Sequence, residues 1–220
     1  FNISIVSESI GQEHLIKKML KEKEVLLAEV FHRVKNNMNI VTSLLNLKKE
    51  ISNSQEVKDA LEDCRNRVFS MALVHQTIFN NNSIVELNFK AYIESLTTEI
   101  KNSLGSNKPV DIHLDTELVM LDLSTAIPCG LILNELITNS FKYASSDDKS
   151  LVIDIKMRQL NNTVELEVRD NGKGLPDNWK QNSYSLGMEL ISSLCEQIDG
   201  THQFKNDKGL VFNLSFKLKG

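Results

Sequence analysis

The chain is poor in the residues that interrupt regular structure. With 3 prolines and 9 glycines among 220 residues, it cannot be a collagen-like or low-complexity polymer, and long uninterrupted helices become available to it. It is poor in cysteine as well. Cys64, Cys129 and Cys195 stand far apart in apolar surroundings, which excludes a disulfide framework or a cysteine-based metal site and fits reduced core residues of a cytoplasmic protein. The formal net charge of -4 comes from interspersed residues, and no Lys/Arg block exists to track a nucleic-acid backbone, so nucleic acid is not expected as a main partner. The longest nearly apolar stretch, Ala126 to Leu133, contains Pro128 and Gly130 and falls far short of the roughly 20 residues a membrane-spanning helix needs. The chain opens on Phe1, without the basic start and apolar stretch of a secretion signal, and reads as a piece of something longer.

What is present is apolar residues, 41% of the total, in clear periods. Leu27, Val30, Val34, Met38, Val41 and Leu45 recur in steps of three and four between Ile10 and Ile51 and predict one long amphipathic helix. Ser52-Asn53-Ser54-Gln55 interrupts it, and Val57, Leu61, Cys64, Val68, Met71 and Ile78 continue the same period to Asn80. The expectation is a helical hairpin over residues 1–83, whose broad apolar stripe is buried economically by pairing two hairpins into a dimeric four-helix bundle. Residues 84–220 read differently. Helical patterns at Asn88 to Leu104, Leu123 to Ala144 and Leu186 to Ile198 alternate with strand patterns at Val110 to Leu114, Leu151 to Met157, Thr163 to Val168, Thr201 to Phe204 and Leu210 to Leu218. That order predicts an α/β sandwich: a mixed, largely antiparallel sheet with helices on one face.

On the first helix, His32 lies in a polar cluster, two residues from both Val30 and Val34 and therefore off the apolar stripe. Asn36, four residues on, shares its face, and Glu29 stands three residues back. A neutral imidazole is a usable nucleophile near pH 7. An isolated histidine of this kind is equally a solvated surface residue. His75, near the stripe of the second helix, reads as a structural histidine.

The second half carries three separated motifs. Asn134-Glu135-Leu136-Ile137-Thr138-Asn139-Ser140-Phe141-Lys142-Tyr143-Ala144 sets Glu135, Asn139, Lys142 and Tyr143 largely opposite the apolar positions of a helix. Side-chain oxygens suited to a hard cation, next to a cation that can meet phosphate, are suitable equipment for a magnesium nucleotide. Asp170-Asn171-Gly172-Lys173-Gly174 ends a strand with a carboxylate, which can accept from an exocyclic amine, and with glycines that let a planar base approach backbone. Ser185-Leu186-Gly187-Met188 opens a helix, where free amides favour phosphate. Singly, these are an amphipathic helix, a turn and a routine glycine.

In this order the three motifs resemble the N, G1 and G2 boxes of the ATPase fold shared by gyrase, heat-shock chaperones, mismatch-repair proteins and histidine kinases. His32-Arg33-Val34-Lys35-Asn36-Asn37, with Ser70 to Gln76, resembles the second dimerisation and phosphoacceptor type of bacterial sensor histidine kinase. The resemblance implies a Bergerat-type ATP-binding domain at 84–220 behind a dimerisation and phosphotransfer hairpin at 1–83. It implies ATP and Mg2+ as cofactors, a homodimer, a response-regulator receiver domain as partner, and an upstream sensor, with any membrane tether lying in that upstream part. By it, His32 is the phosphoacceptor and Asn36 serves dephosphorylation of the partner; Glu29, three residues back on the same face, is the candidate base in place of the acidic neighbour the family commonly has. Asn139 holds Mg2+ with indirect help from Glu135, the position of the ATPase base; Lys142 touches phosphate and Tyr143 lines the pocket. Asp170 reads the adenine amine, Gly172 and Gly174 shape the pocket, Leu175 to Ser185 form a lid, and Leu186 and Gly187 meet the phosphates. Three positions depart from the pattern: Arg33 stands where an acidic residue commonly follows the histidine, Ser185 replaces a glycine, and Leu210 follows Gly209 where threonine is frequent. The alternative these departures keep open is an ATP-binding switch that signals by partner binding without phosphotransfer.

Overall fold

The computed structural model describes residues 2–80, 86–104, 110–144, 150–175 and 186–218. Helix α1 runs unbroken over Asn2–Ile51, and α2 over Gln55–Asn80 folds back along it. The turn is short because Ser54 can close it: its hydroxyl accepts from the Val57 amide at 3.4 Å and its carbonyl from the Lys58 amide at 3.0 Å. Lys49 on α1 pairs with Glu62 on α2 just above the turn and fixes the register of the two helices. One flank of α1 is left bare. Leu26, Val30, Ile40, Val41, Leu44 and Leu47 are between 43% and 67% exposed, two apolar patches that the hairpin does not cover, separated on that face by Arg33 and Asn37.

The second half begins with β1 (Glu86–Asn88) and α3 (Phe89–Leu104), followed by β2 (Val110–Thr116), β3 (Met120–Asp122) and α4 (Leu123–Asn139). After α4 come β4 (Leu151–Leu160), β5 (Thr163–Asp170), α5 (Leu186–Gln197), β6 (Thr201–Asn206) and β7 (Leu210–Lys217). The five-stranded sheet has the order β2-β4-β5-β7-β6. Only β2 and β4 are parallel, as their connection through α4 requires; the other neighbours are antiparallel, in hairpins where they follow in sequence. The mixed sheet with helices on one face is the predicted architecture. The small antiparallel pair β1–β3 is an addition: three residues per strand show no alternation to read.

Alternation explains how the sheet is loaded. Leu151, Ile153, Ile155 and Met157 of β4 face inward with Val164, Leu166 and Val168 of β5 and Phe212, Leu214 and Phe216 of β7. Asp170 continues the inward row of β5, so a carboxylate follows three apolar side chains under the helices. Helix α4 is buried nearly all round, because the sheet lies on one side and α2 on the other. Its start is capped by Asp122, whose Oδ1 accepts from the Thr125 amide at 3.0 Å. Its end differs from the expected plain helix to Ala144. Ser140–Ala144 wind as a π-helical turn, a feature that often marks functional sites.

The hairpin docks on this half through α2. Ser70 and Val74 are fully buried; the Ser70 hydroxyl lies 2.9 Å from the Tyr92 hydroxyl on α3 and donates to the Gly130 carbonyl on α4 at 3.2 Å. Gly130 is required there, since a Cβ would stand 2.5 Å from the Tyr92 hydroxyl oxygen. The expected division between residues 83 and 84 and the side chain of His75 fall outside the described residues.

Candidate active site

The inward register of β5 delivers Asp170 to the floor of a cleft, where it is 5% exposed and accepts from three protein donors, with one acceptor site of Oδ2 left over. Its Oδ1 accepts from the Gly172 amide at 2.8 Å and the Leu210 amide at 3.1 Å, and its Oδ2 accepts from the Ser140 hydroxyl at 3.0 Å. Leu210 therefore supplies through its backbone part of the polar contact that its side chain cannot give. The π-helical turn brings Ser140 to this place, its hydroxyl also donating to the Leu136 carbonyl. Gly209 is the closest packed of all: at φ 140° its Cα lies against β5 so tightly that a Cβ would come within 1.9 Å of the Asp170 carbonyl oxygen.

Leu136, Met188 and Leu210 give the cleft apolar walls, and Asn139, Tyr143 and Gly174 line it as well. Gly174 has φ 71°, a backbone that favours glycine, and sits against Asn206, which bonds both the amide and the carbonyl of Leu175 at 2.8 Å. Tyr143 borders the cleft at 72% exposure. The lid expected over Leu175 to Ser185 lies outside the described residues apart from Leu175 itself. At the other end, the start of α5 crosses the N-terminal motif: a Cβ on Gly187 would lie 2.9 Å from Glu135 Oε2 and 3.6 Å from Asn139 Nδ2. Asp170, Asn139 and Gly174, far apart in the chain, thus meet in one cleft, with Glu135 and Gly187 together beside Asn139.

Two charged side chains beside the cleft are bound by the hairpin, through residues that no motif singled out. Glu135 is buried, and Arg67 of α2 holds it bidentately, Nε donating to Oε1 at 2.6 Å and the guanidinium to Oε2 at 3.0 Å. That carboxylate holds the Arg67 guanidinium further above its ordinary range. Asp63, one turn earlier on α2, pairs with Lys142. The sequence signal was only an Asp and an Arg four apart on one helix face.

On α1, His32 is exposed, as expected of a residue off the stripe. Its Nδ1 is 3.2 Å from the Asn36 side-chain amide, while Glu29 is taken by Arg33, whose Nε donates to it at 2.8 Å. His32 is seventeen residues along α1 from Lys49, which is level with the Asp63–Lys142 contact. At 1.5 Å per residue the separation from the cleft is about 25 Å along the helix.

An apolar slot with a carboxylate on its floor, glycines at its rim and a helix N-terminus beside Asn139 defines a nucleotide-binding ATPase domain carried on a helical hairpin. Comparison with known proteins gives the family. The profile described as histidine kinase matches residues 29–104, and the one described as histidine kinase-, DNA gyrase B- and HSP90-like ATPase matches residues 125–220. The chain is 26% identical over 187 residues to the sensor histidine kinase PdtaS of Mycolicibacterium smegmatis, covering 84% of this chain and 37% of that protein. It is 24% identical over 202 residues to blue-light-activated histidine kinase 2 of Erythrobacter litoralis, covering 87% of this chain and 57% of that protein. In structure it is similar to the histidine kinase domain of the Erythrobacter litoralis EL346 blue-light activated histidine kinase, with TM-score 0.66 at 22% identity over 90% of this chain and 93% of that one, a likeness of fold. The two matched segments belong to the histidine kinase and histidine-kinase-type ATPase families, and joined in this order they form a histidine kinase core. The chain spans 37% of the length of the PdtaS proteins it matches.

Among the described residues no helix is long and apolar enough to cross a membrane, and no group of three or more His, Cys, Asp or Glu could hold a metal ion. Asn139 nonetheless suits a magnesium nucleotide, for its side-chain amide carries a hard oxygen and lines the cleft beside the start of α5.

Proposed function

We propose that the chain transfers the γ-phosphoryl group of ATP to His32 and passes it on to an aspartate of a response-regulator receiver domain. The observation that carries this reading is the coexistence of an exposed imidazole, held at Nδ1, with a cleft suited to ATP in one molecule. Asp170 accepts from the adenine amine, Leu136, Met188 and Leu210 sandwich the ring, and Lys142 and the start of α5 take the phosphates. Mg2+, held by Asn139 with support from Glu135, neutralises phosphate charge when bound.

Asn36 answers the question of what orients His32. As placed, its Nδ2 faces Nδ1 at 3.2 Å; a half-turn of the amide sets the side-chain oxygen to accept from Nδ1–H instead, the tautomer with the lone pair on Nε2 that the reaction uses. Nε2 then attacks the γ-phosphorus, the bond from that phosphorus to the β-γ bridging oxygen breaks, ADP leaves, and the Nδ1 proton passes to water. Glu29, engaged with Arg33, is less well placed for that task in this conformation. The bare apolar patches of α1 support a homodimer through the hairpin, with the division at residues 83 and 84 separating it from the ATP-binding half. We assign the pair to the cytoplasm, with the sensor and any tether upstream.

Incubation with radiolabelled ATP and Mg2+ should give an acid-labile, base-stable label that is absent from His32→Ala; equal labelling of that variant would sink the assignment. A second reading, a nucleotide-operated switch without phosphotransfer, is favoured by the 25 Å offset of about seventeen helical residues between His32 and the cleft. It expects ATP binding with no phosphohistidine.

A further inference from the structure

The base-reading carboxylate of the cleft has one open acceptor site, and Ser140 is the residue that limits it to one. A carboxylate offers about four acceptor sites, shared equally by its two oxygens. On Asp170 both sites of Oδ1 are filled from the backbone, by the Gly172 amide at 2.8 Å and the Leu210 amide at 3.1 Å. Gly209 makes the second of these possible, since only a residue without Cβ lets that segment lie against the Asp170 carbonyl. The Ser140 hydroxyl, at 3.0 Å, takes one of the two sites of Oδ2. Its oxygen is also 3.0 Å from the Leu136 carbonyl oxygen, but it has a single proton, and the charged carboxylate is the stronger acceptor. Ser140 is 3% exposed, sits in the π-helical turn Ser140–Ala144, and lines the cleft together with Leu136, Met188 and Leu210.

We propose that Ser140 determines base specificity: by filling the second site of Asp170 Oδ2, it leaves the carboxylate able to accept one donor from the base and no more, which selects against guanine. This rests on the reading that Asp170 meets the base. Adenine asks for one acceptor. Its 6-amino N–H meets the open site of Oδ2, and the neighbouring ring nitrogen N1 carries no hydrogen. Guanine in the same seat turns a carbonyl oxygen towards the carboxylate, an acceptor against an anion. To bind, it must shift along its edge and present N1–H and a 2-amino N–H side by side. One open site satisfies only one of them, and a buried donor without an acceptor is costly. Hypoxanthine, which has N1–H and no 2-amino group, separates the two effects, because it shares guanine's carbonyl but brings a single donor.

Binding of ATP, ITP and GTP to the whole chain, measured by calorimetry with Mg2+, tests this for the parent, for Ser140→Ala and, as the nucleotide control, for Asp170→Asn. Thermal denaturation checks that each variant folds. The parent should bind ATP tightest, and ITP about tenfold more tightly than GTP, the cost of one buried donor left without an acceptor. Ser140→Ala opens the second site of Oδ2, so the preference for ITP over GTP should shrink by about the same tenfold, through tighter binding of GTP. A substitution that merely loosened the cleft would move ITP and GTP together and leave their ratio as it was. An unchanged ratio in Ser140→Ala, or weaker binding of GTP, would overturn the role of Ser140 and leave the nucleotide site in place. So would a parent that binds ITP and GTP alike. If Asp170→Asn binds ATP as the parent does, the base does not meet Asp170, and the reading fails together with the inference built on it.

Discussion

Replacing Asp170 by Asn tests the base-recognition end of the cleft with almost no change in shape. The carboxylate accepts three protein hydrogen bonds, two at Oδ1 from the Gly172 and Leu210 amides and one at Oδ2 from Ser140. Two backbone donors on one side dictate which way the amide must turn: Oδ1 stays with them, and Nδ2 replaces Oδ2. Ser140 can accept this, because its hydroxyl accepts as readily as it donates. Folding stability should therefore fall by no more than about 1 kcal/mol, one neutral hydrogen bond's worth. The base fares worse. The acceptor that would meet the adenine amine becomes a donor, so a charge-assisted hydrogen bond worth about 1.5–3 kcal/mol is replaced by two donors facing each other. At about 1.4 kcal/mol per decade, ATP affinity should drop at least about tenfold. Adenosine should lose the same factor, because the contact is with the base. Calorimetric titration of both ligands, with thermal denaturation as the control for folding, reads the result. ATP binding within twofold of the parent in a normally folded variant would refute the placement of adenine over Asp170.

Gly130→Ala should cost about 1–3 kcal/mol in thermal denaturation, since the new methyl would press on Tyr92, which is fully buried and stacked on Phe89 at 5.1 Å with no room to turn aside. Of the three cysteines only Cys64 should react with a maleimide in the folded protein at neutral pH, as mass spectrometry would read: Cys129 and Cys195 are buried, and burial pushes the Cys129 thiol up and that of Cys195 up to about 12. Asn36→Ala should slow the initial rate of self-labelling by about tenfold or more, with nucleotide affinity unchanged, because it frees the tautomer of His32 without touching the cleft; an unchanged rate would return the orienting role to another group.

The parts of the site that could be read from the sequence are those in which one residue's chemistry and its element's period agree. Asp170 is legible because alternation along β5 puts it in register with Val164, Leu166 and Val168, and the following glycines mark the point where the strand gives way to a site. The same holds for Asn139 and Gly187 at the end of α4 and the start of α5. Ser140 and Gly209 escaped notice for a different reason. Ser140 reaches Asp170 through a π-helical turn that no apolar period announces, and Gly209 matters through contact with a strand some forty residues away. In the fold, the long elements followed their patterns closely, while β1 and β3, at three residues each, show no period and are placed by burying Leu87 and Leu121 in the core as well as by pairing with one another.

The contact between hairpin and ATP-binding half belongs to a third category. Asp63, Arg67, Ser70 and Val74 satisfy the period of α2, but Arg67 and Ser70 are explained only by Glu135, Tyr92 and Gly130, which lie on other elements. A helix in water would carry these polar residues as an ordinary solvated face, so their burial is decided by docking rather than by local propensity. The physical consequence is that the nucleotide cleft and the docked interface make opposite demands on the same side chains. Lys142 and Glu135 are held by Asp63 and Arg67 while the two halves are docked, and a ligand that needs either side chain competes with α2 for it.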